Sequence, residues 1–306
     1  MPRENIEFKT RDGVILRGWF YTPETATPSS VPLPCIIMSH GFSCVKEMGL
    51  DRFASYFVAK LSVSCVVYDH RGFGASDTGD GQPRQEIVPT QQTDDMSDAI
   101  SYAQSRRDVD LQKIALWGSS FSGGHVLSVA AVDRRVKAVL SQIPFISGPR
   151  AFAMNPPETI NLLNDLFSQD RQGRAEGKTP VVIPSVSSDK SALCVMPTRD
   201  SYEYFTAWAK KAPFKNEVTL RSLELTSRYE PYDFVPRISP TPLLITVGSE
   251  DVVNPTEFAL DAFKQARDPK ELHVLEGCGH FDPYDGELFK KNIEKQVDFL
   301  ERMFLV

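Results

Sequence analysis

No stretch of this 306-residue chain approaches the ~20 consecutive apolar residues that a membrane span needs, so no membrane association is expected. It contains no run of Lys or Arg, and the formal net charge is −6. A nucleic acid or an anionic bilayer would therefore find no basic patch to bind. The chain has only five cysteines, an odd number, with no C-x-x-C spacing. That argues against a disulfide framework and for a reduced setting. H-x-x-x-H and H-E-x-x-H are both missing, as is G-x-x-x-x-G-K-[ST], so neither a zinc site nor a phosphate loop is implied and no cofactor is expected. The first residues, Met-Pro-Arg-Glu-Asn, are polar with no apolar segment behind them. The expectation is thus a cytoplasmic protein without a secretory leader.

What is present is an ordinary globular composition, 41% hydrophobic and 24% charged, which lets a chain of this length bury roughly three quarters of its unfolded surface. Residues 6–10 and 14–22 read as a hairpin around Arg11-Asp12-Gly13, followed by a Pro/Ser/Thr-rich connection at 23–34. Short, continuously apolar runs then alternate with helix-like segments. Strands are expected at 35–39, 64–68, 113–117 and 136–143, with helices at about 47–60, 90–106 and 121–132 between them. Runs apolar on both faces belong to a parallel sheet covered by helices on each side. The rhythm stops at about Phe145 and resumes at Pro242 with a strand to Val247, a helix at 255–266, a strand at 271–275 and a last helix at about 284–303. An interruption between two halves of one rhythm is an insertion. We therefore expect an α/β core from 1–144 and 238–306, with a mainly helical lid at 145–237 that includes helices at 156–166 and 199–211.

The most informative segment is Trp117-Gly118-Ser119-Ser120-Phe121-Ser122-Gly123-Gly124, where a strand runs straight into a helix through small residues. A nucleophile elbow asks for a small residue two before and two after its serine, because the turn leaves no room for larger ones. Gly118 and Ser122 fill those places around Ser120, with Ser122 departing from the usual glycine. Ser119 has Trp117 two residues before it, and Ser122 lacks a strand-end position. A serine hydroxyl is a weak nucleophile without a base. In this arrangement an acid and then a histidine must follow, each past the end of a later strand. Asp251 lies just past 243–247, with Glu250 as its competitor. His280 lies past 271–275 in a glycine-containing loop. His40 and His70 precede both Ser120 and Asp251, His125 lies in a helix and His273 in a strand. A tetrahedral intermediate also needs two fixed donors. The amide of Phe121 is one candidate, and that of Phe42, after Ser39-His40-Gly41, is the other.

Taken together, Ser39-His40-Gly41-Phe42, Asp69-His70-Arg71-Gly72-Phe73-Gly74-Ala75-Ser76, Gly118 to Gly124, Gly248 to Asp251 and Gly279-His280-Phe281 resemble the α/β-hydrolase superfamily in order and position. The resemblance covers about 6–144 and 238–303. It implies an α/β-hydrolase fold and a Ser120, His280, Asp251 triad acting through an acyl-enzyme. The run through His125-Val126-Leu127 and the Gly279 to Tyr284 segment are similar to a fungal polyketide transferase and hydrolase group of secondary metabolism. That likeness implies ester or thioester substrates and a polyketide synthase as a partner. Phe145, Phe152, Phe167, Tyr202, Tyr204, Phe205, Trp208, Tyr229 and Tyr232 in the expected lid could line an apolar pocket for a bulky, partly apolar small molecule, with Phe145, Tyr202, Trp208 and Tyr232 singled out among them, although most such aromatics simply pack a core. A peptidase or amidase, a non-hydrolytic cyclase or ligand-binding protein on the same scaffold, and a homo-oligomeric state all stay open at this point.

Overall fold

The computed structural model describes residues 3–24, 31–189 and 191–305, so part of the 23–34 connection lies outside the described residues. Two strands open the chain, β1 (Arg3–Lys9) and β2 (Ile15–Tyr21). Then come β3 (Leu33–Ser39), α1 (Leu50–Lys60), β4 (Ser64–Tyr68), α2 (Pro89–Ser105), β5 (Val109–Ser119), α3 (Phe121–Ala130) and β6 (Val136–Gln142). After an excursion the alternation ends with β9 (Leu243–Gly248), α8 (Thr256–Gln265), β10 (Lys270–Leu275) and α9 (Gly286–Met303). The excursion contains α4 (Gly148–Ala153), α5 (Pro157–Ala175), β7 (Val182–Ile183), α6 (Arg199–Trp208), β8 (Val218–Thr219), α7 (Leu220–Thr226) and a 3-10 turn at Pro231–Arg237. Its two short strands pair only with each other, so it adds no strand to the main sheet.

The main sheet has eight strands in the order β1-β2-β4-β3-β5-β6-β9-β10. From β4 to β10 every neighbouring pair is parallel, while β2 pairs antiparallel with both β1 and β4 and so runs opposite to the other strands of this sheet. Alternation along each strand sends side chains to opposite faces. Cys35, Ile37, Val66, Leu116 and Val139 join one core with α2, α3 and α8, while Ile36, Met38, Val67, Trp117 and Leu140 join another with α1 and α9. Both faces are covered, which is why these strands are apolar throughout.

The excursion packs over the C-terminal ends of the parallel strands. Leu163, Phe167, Ile183, Val218 and Leu220 meet Phe42, Phe73 and Phe121, and Val186, Phe205 and Phe214 meet Cys44, Val45 and Met48. Under the β5–α3 junction lies a buried polar lattice. Trp117 Nε1 donates to Gln296 Oε1 at 2.8 Å, and Gln296 Nε2 donates to Gln142 Oε1 at 2.9 Å. Gln142 Nε2 in turn donates to Ser119 Oγ at 2.9 Å. A buried donor stripped of its partner costs about 1–3 kcal/mol. Replacing Gln296→Leu should therefore lower stability by about that amount in urea unfolding, and an unchanged midpoint would show that the lattice contributes nothing net.

Candidate active site

The β5–α3 junction bends within one residue. Ser120 adopts φ 56° and ψ −118°, outside the regions that side-chain-bearing residues normally occupy. The close approach this creates excludes side chains nearby, since a Cβ on Gly118 would lie 2.1 Å from the Ser122 carbonyl oxygen. Ser120 is held in place by its N–H donating to Gln142 O, while its carbonyl accepts from Gly123 and Phe145 N–H, each at 2.9 Å.

Asp251 follows β9, and His280 follows β10. Short backbone bonds tie their loops to each other, with Ser249 N–H on Leu275 O and Glu250 N–H on Cys278 O. Gly248 is obligatory there, because a Cβ would sit 2.4 Å from the Cys278 carbonyl. Asp251 Oδ1 accepts from the Val253 and Asn254 amides at 2.9 and 2.8 Å, leaving Oδ2 to face His280 Nδ1 at 2.7 Å. The other ring nitrogen, Nε2, lies 3.0 Å from Ser120 Oγ. Both Asp251 and His280 are buried. Glu250 is exposed and takes no part. The alternative serines are occupied elsewhere: Ser119 Oγ contacts Tyr284 Oη at 2.6 Å, and Ser122 Oγ donates to the His40 carbonyl.

Gly41 passes directly against the serine; a Cβ there would lie 3.1 Å from Ser120 Cβ. Phe42 and Phe121 consequently sit side by side, their rings edge to face at 5.3 Å. Among the described residues, neither of their amides is committed to a loop or turn carbonyl. The loop carrying Phe42 is anchored by Lys46, which sequence reasoning missed. Its ammonium meets Asp69 Oδ2 at 2.7 Å, and its amide donates to Asp69 Oδ1 at 2.7 Å, both groups being buried. Asp69 also accepts the Ala75 amide. The Asp69 to Ser76 segment is thus a turn folded around one carboxylate, as its glycines suggested.

A small cavity of about 20 Å³ opens above Ser120 and His280. Its walls are Phe42, Cys44, Met48, Leu50, Met196, Tyr204, Phe205, Phe281 and Tyr284. Of the nine lid aromatics considered for it, Tyr204 and Phe205 line it, and the four singled out lie elsewhere. Phe145 packs against Phe121 and Tyr229, one layer away. Tyr202 and Trp208 flank the cluster around Phe205. Tyr232 packs on the central core with Val235 and Ile238 because its backbone is tied to Ile146 O. On α6, Tyr204 and Phe205 face the cavity, and Tyr202 and Trp208 on either side of them do not line it. A wider groove of about 340 Å³ runs beside α5, away from Ser120 and His280. Among the described residues no cluster of His, Cys, Asp and Glu is placed to hold a metal ion, and no helix is long and apolar enough to cross a membrane.

A sequence model described as alpha/beta hydrolase fold matches residues 34–287. The chain belongs to the alpha/beta hydrolase fold family. This α/β-hydrolase is 33% identical to polyketide transferase grgF of Penicillium sp, over 99% of this chain and 97% of that protein. It is 35% identical to the quorum-quenching protein AidA of Acinetobacter baumannii, over 98% and 94% of the two chains. A thiohydrolase of Eupenicillium brefeldianum is 30% identical over 98% and 94%. Among solved structures, GrgF from Penicillium sp. sh18 superposes with a TM-score of 0.87 at 32% identity, each chain fully covered. The chain is thus an enzyme of the α/β-hydrolase family whose relatives include fungal polyketide transferases and thiohydrolases.

Burial pushes the Cys44 thiol in the cavity wall up to about 12, which leaves roughly one thiolate in 10⁴ at pH 8. Among the described residues Cys194 is the only partly exposed cysteine. Iodoacetamide at pH 8 should therefore alkylate Cys194 first, with Cys44 reacting only after unfolding, as read by peptide mass spectrometry. Equal rates in the folded enzyme would mean that the cavity wall stands open to solvent.

Proposed function

We propose that this α/β-hydrolase cleaves or transfers acyl groups from esters or thioesters through a covalent intermediate on Ser120. The observation that carries the reading is the unbroken line Ser120 Oγ, His280 Nε2, His280 Nδ1 and Asp251 Oδ2, at 3.0 and 2.7 Å. Ser120 Oγ attacks the substrate carbonyl as its proton passes to His280 Nε2. Asp251 holds the Nδ1–H tautomer and stabilises the imidazolium. The Phe42 and Phe121 amides receive the charge that develops on the carbonyl oxygen. The tetrahedral species collapses, the C–O or C–S bond breaks, and the leaving alkoxide or thiolate takes the proton back from His280. Water or an acceptor nucleophile then gives up its proton to His280 as it attacks the acyl-serine; the C–Oγ bond breaks, His280 returns the proton to Ser120 Oγ, and the acid or transferred acyl product leaves.

The cavity wall favours an apolar acyl group, since its charged neighbours are confined to the triad. Relatives named polyketide transferase and thiohydrolase support a polyketide-derived acyl donor presented as a thioester. The 145–237 segment serves as the lid that shuts this donor in, and a polyketide synthase is the proposed source of the acyl group.

A fluorophosphonate probe should label the wild type and leave Ser120→Ala unlabelled. Incubation with acyl thioesters should add one acyl mass to the peptide containing Ser120. Asp251→Asn should lower kcat by about four orders of magnitude with the fold intact. Absence of both label and acyl adduct in a folded wild-type protein would favour a binder or cyclase on this scaffold.

A further inference from the structure

Ser122 stands where the elbow pattern asks for glycine, yet its side chain is fully buried and engaged on two sides. Its hydroxyl donates to the His40 carbonyl at 2.5 Å and faces His70 Nε2 at 3.0 Å. A serine hydroxyl has one proton. With that proton on His40 O, Oγ meets His70 as an acceptor, so His70 must present Nε2–H. That tautomer leaves Nδ1 as a bare lone pair, and Nδ1 is the ring atom buried without a partner. The opposite tautomer would orphan an N–H in the same place and leave two acceptors competing for one serine proton, a costlier arrangement.

The same reasoning fixes His40. The His70 amide donates to His40 Nε2 at 3.2 Å, so the proton of this neutral ring is on Nδ1, 3.0 Å from the Gly41 carbonyl. Burial lowers the pKa of both imidazoles, keeping them neutral. Because a trans peptide is planar, holding the Gly41 carbonyl also sets the direction of the Phe42 N–H on the opposite edge of the same unit. Two successive peptide units of the loop are thus gripped, one by Ser122 and the next by the His40 ring.

We propose that Ser122 is a positioning residue for the oxyanion hole. Its hydroxyl clamps the His40-Gly41-Phe42 segment to the helix that carries Ser120 and Phe121, so that the two amides converge on one point. The proposal rests on the acyl-enzyme reading above. It also accounts for a serine at a place where glycine would satisfy the turn.

The test compares wild type, Ser122→Gly, Ser122→Ala and Ser120→Ala on a short-chain p-nitrophenyl ester, with a trifluoromethyl ketone as tetrahedral analogue. Losing one oxyanion donor outright costs about 10²–10³ in kcat, so a misaimed one should cost about 10- to 100-fold. In both Ser122 variants KM should change by less than about two-fold, while the ketone's inhibition constant weakens by the same factor as kcat. Ring ¹⁵N spectra of the wild type should show His70 as the Nε2–H tautomer, and this signature should be lost in the variants. Folded variants with kcat and ketone affinity within about two-fold of wild type would overturn the clamp. So would an Nδ1–H tautomer of His70 in the wild type, a readout that does not require the variants to fold. Full activity in Ser120→Ala would instead overturn the acyl-enzyme reading, independently of the His70 spectrum.

Discussion

Ser120 is held at φ 56°, a backbone state that costs about 1–3 kcal/mol and persists only where its surroundings over-determine it. Those surroundings are visible on every side. Gly118 and Gly41 let backbone pass within contact distance of the serine and its helix, and Gly123 packs against Pro144 at the end of β6. The Ser120 amide and carbonyl are both hydrogen-bonded across to the β6 strand end. Strain of this kind raises the hydroxyl out of the sheet edge, where a ring from another loop can reach it. The buried lattice of Trp117, Gln142 and Gln296 beneath stiffens the platform by pinning α9 to β5, which leads into the turn, and to its neighbour β6.

The order of strands does the rest. Because β5, β6, β9 and β10 are adjacent and parallel, their C-terminal ends lie along one edge, and loops from three of them reach a common crevice. Asp251 arrives with one oxygen already engaged by two backbone amides, so its remaining oxygen is free to orient the imidazole. On the opposite side, the buried Lys46–Asp69 pair performs a similar task for the loop that carries Phe42. A buried pair of this kind is retained more readily for geometry than for net stability.

How much of this was legible in the sequence depended on whether one residue type or a phase relation carried the information. Continuous apolar runs such as Cys35–Met38 and Ser64–Tyr68 announced buried parallel strands, and all the expected core strands are found within a few residues of their expected limits. The elbow, Asp251 and His280 were legible because each demands a specific residue at a strand end. Which of the lid aromatics would line the cavity was not. Nothing in Arg199–Trp208 says which face of α6 points down until tertiary packing chooses one, so Tyr202 and Trp208 looked equally apt. The short helices α4 and α7 were missed for a related reason, since six or seven residues offer too little periodicity to register. The polar residues Asp170–Lys178 hid the end of α5, whose Asp170 is buried by ion-pairing with Arg174 and by capping the Val181 amide. Ser122 was visible as a departure from pattern, but its meaning required the positions of His40 and His70.

Thiohydrolase and polyketide transferase relatives at comparable identity make the triad an unsuitable place to look for what separates the two outcomes. On the proposed acyl-enzyme route, hydrolysis and transfer share every step up to the acyl-serine and part only in which nucleophile reaches it. That choice is set by the residues that admit or exclude water around Ser120, here Met48, Met196, Tyr204, Phe205 and Phe281. Their side chains are apolar or, for Tyr204, have the hydroxyl turned away onto the Met48 carbonyl, so the wall offers water few fixed hydrogen-bond partners near the ester carbon. A poorly hydrated wall slows deacylation by water relative to an acceptor that brings its own apolar surface. Partitioning between the two should therefore track substitutions in this wall, while substitutions in the triad should suppress both outcomes together.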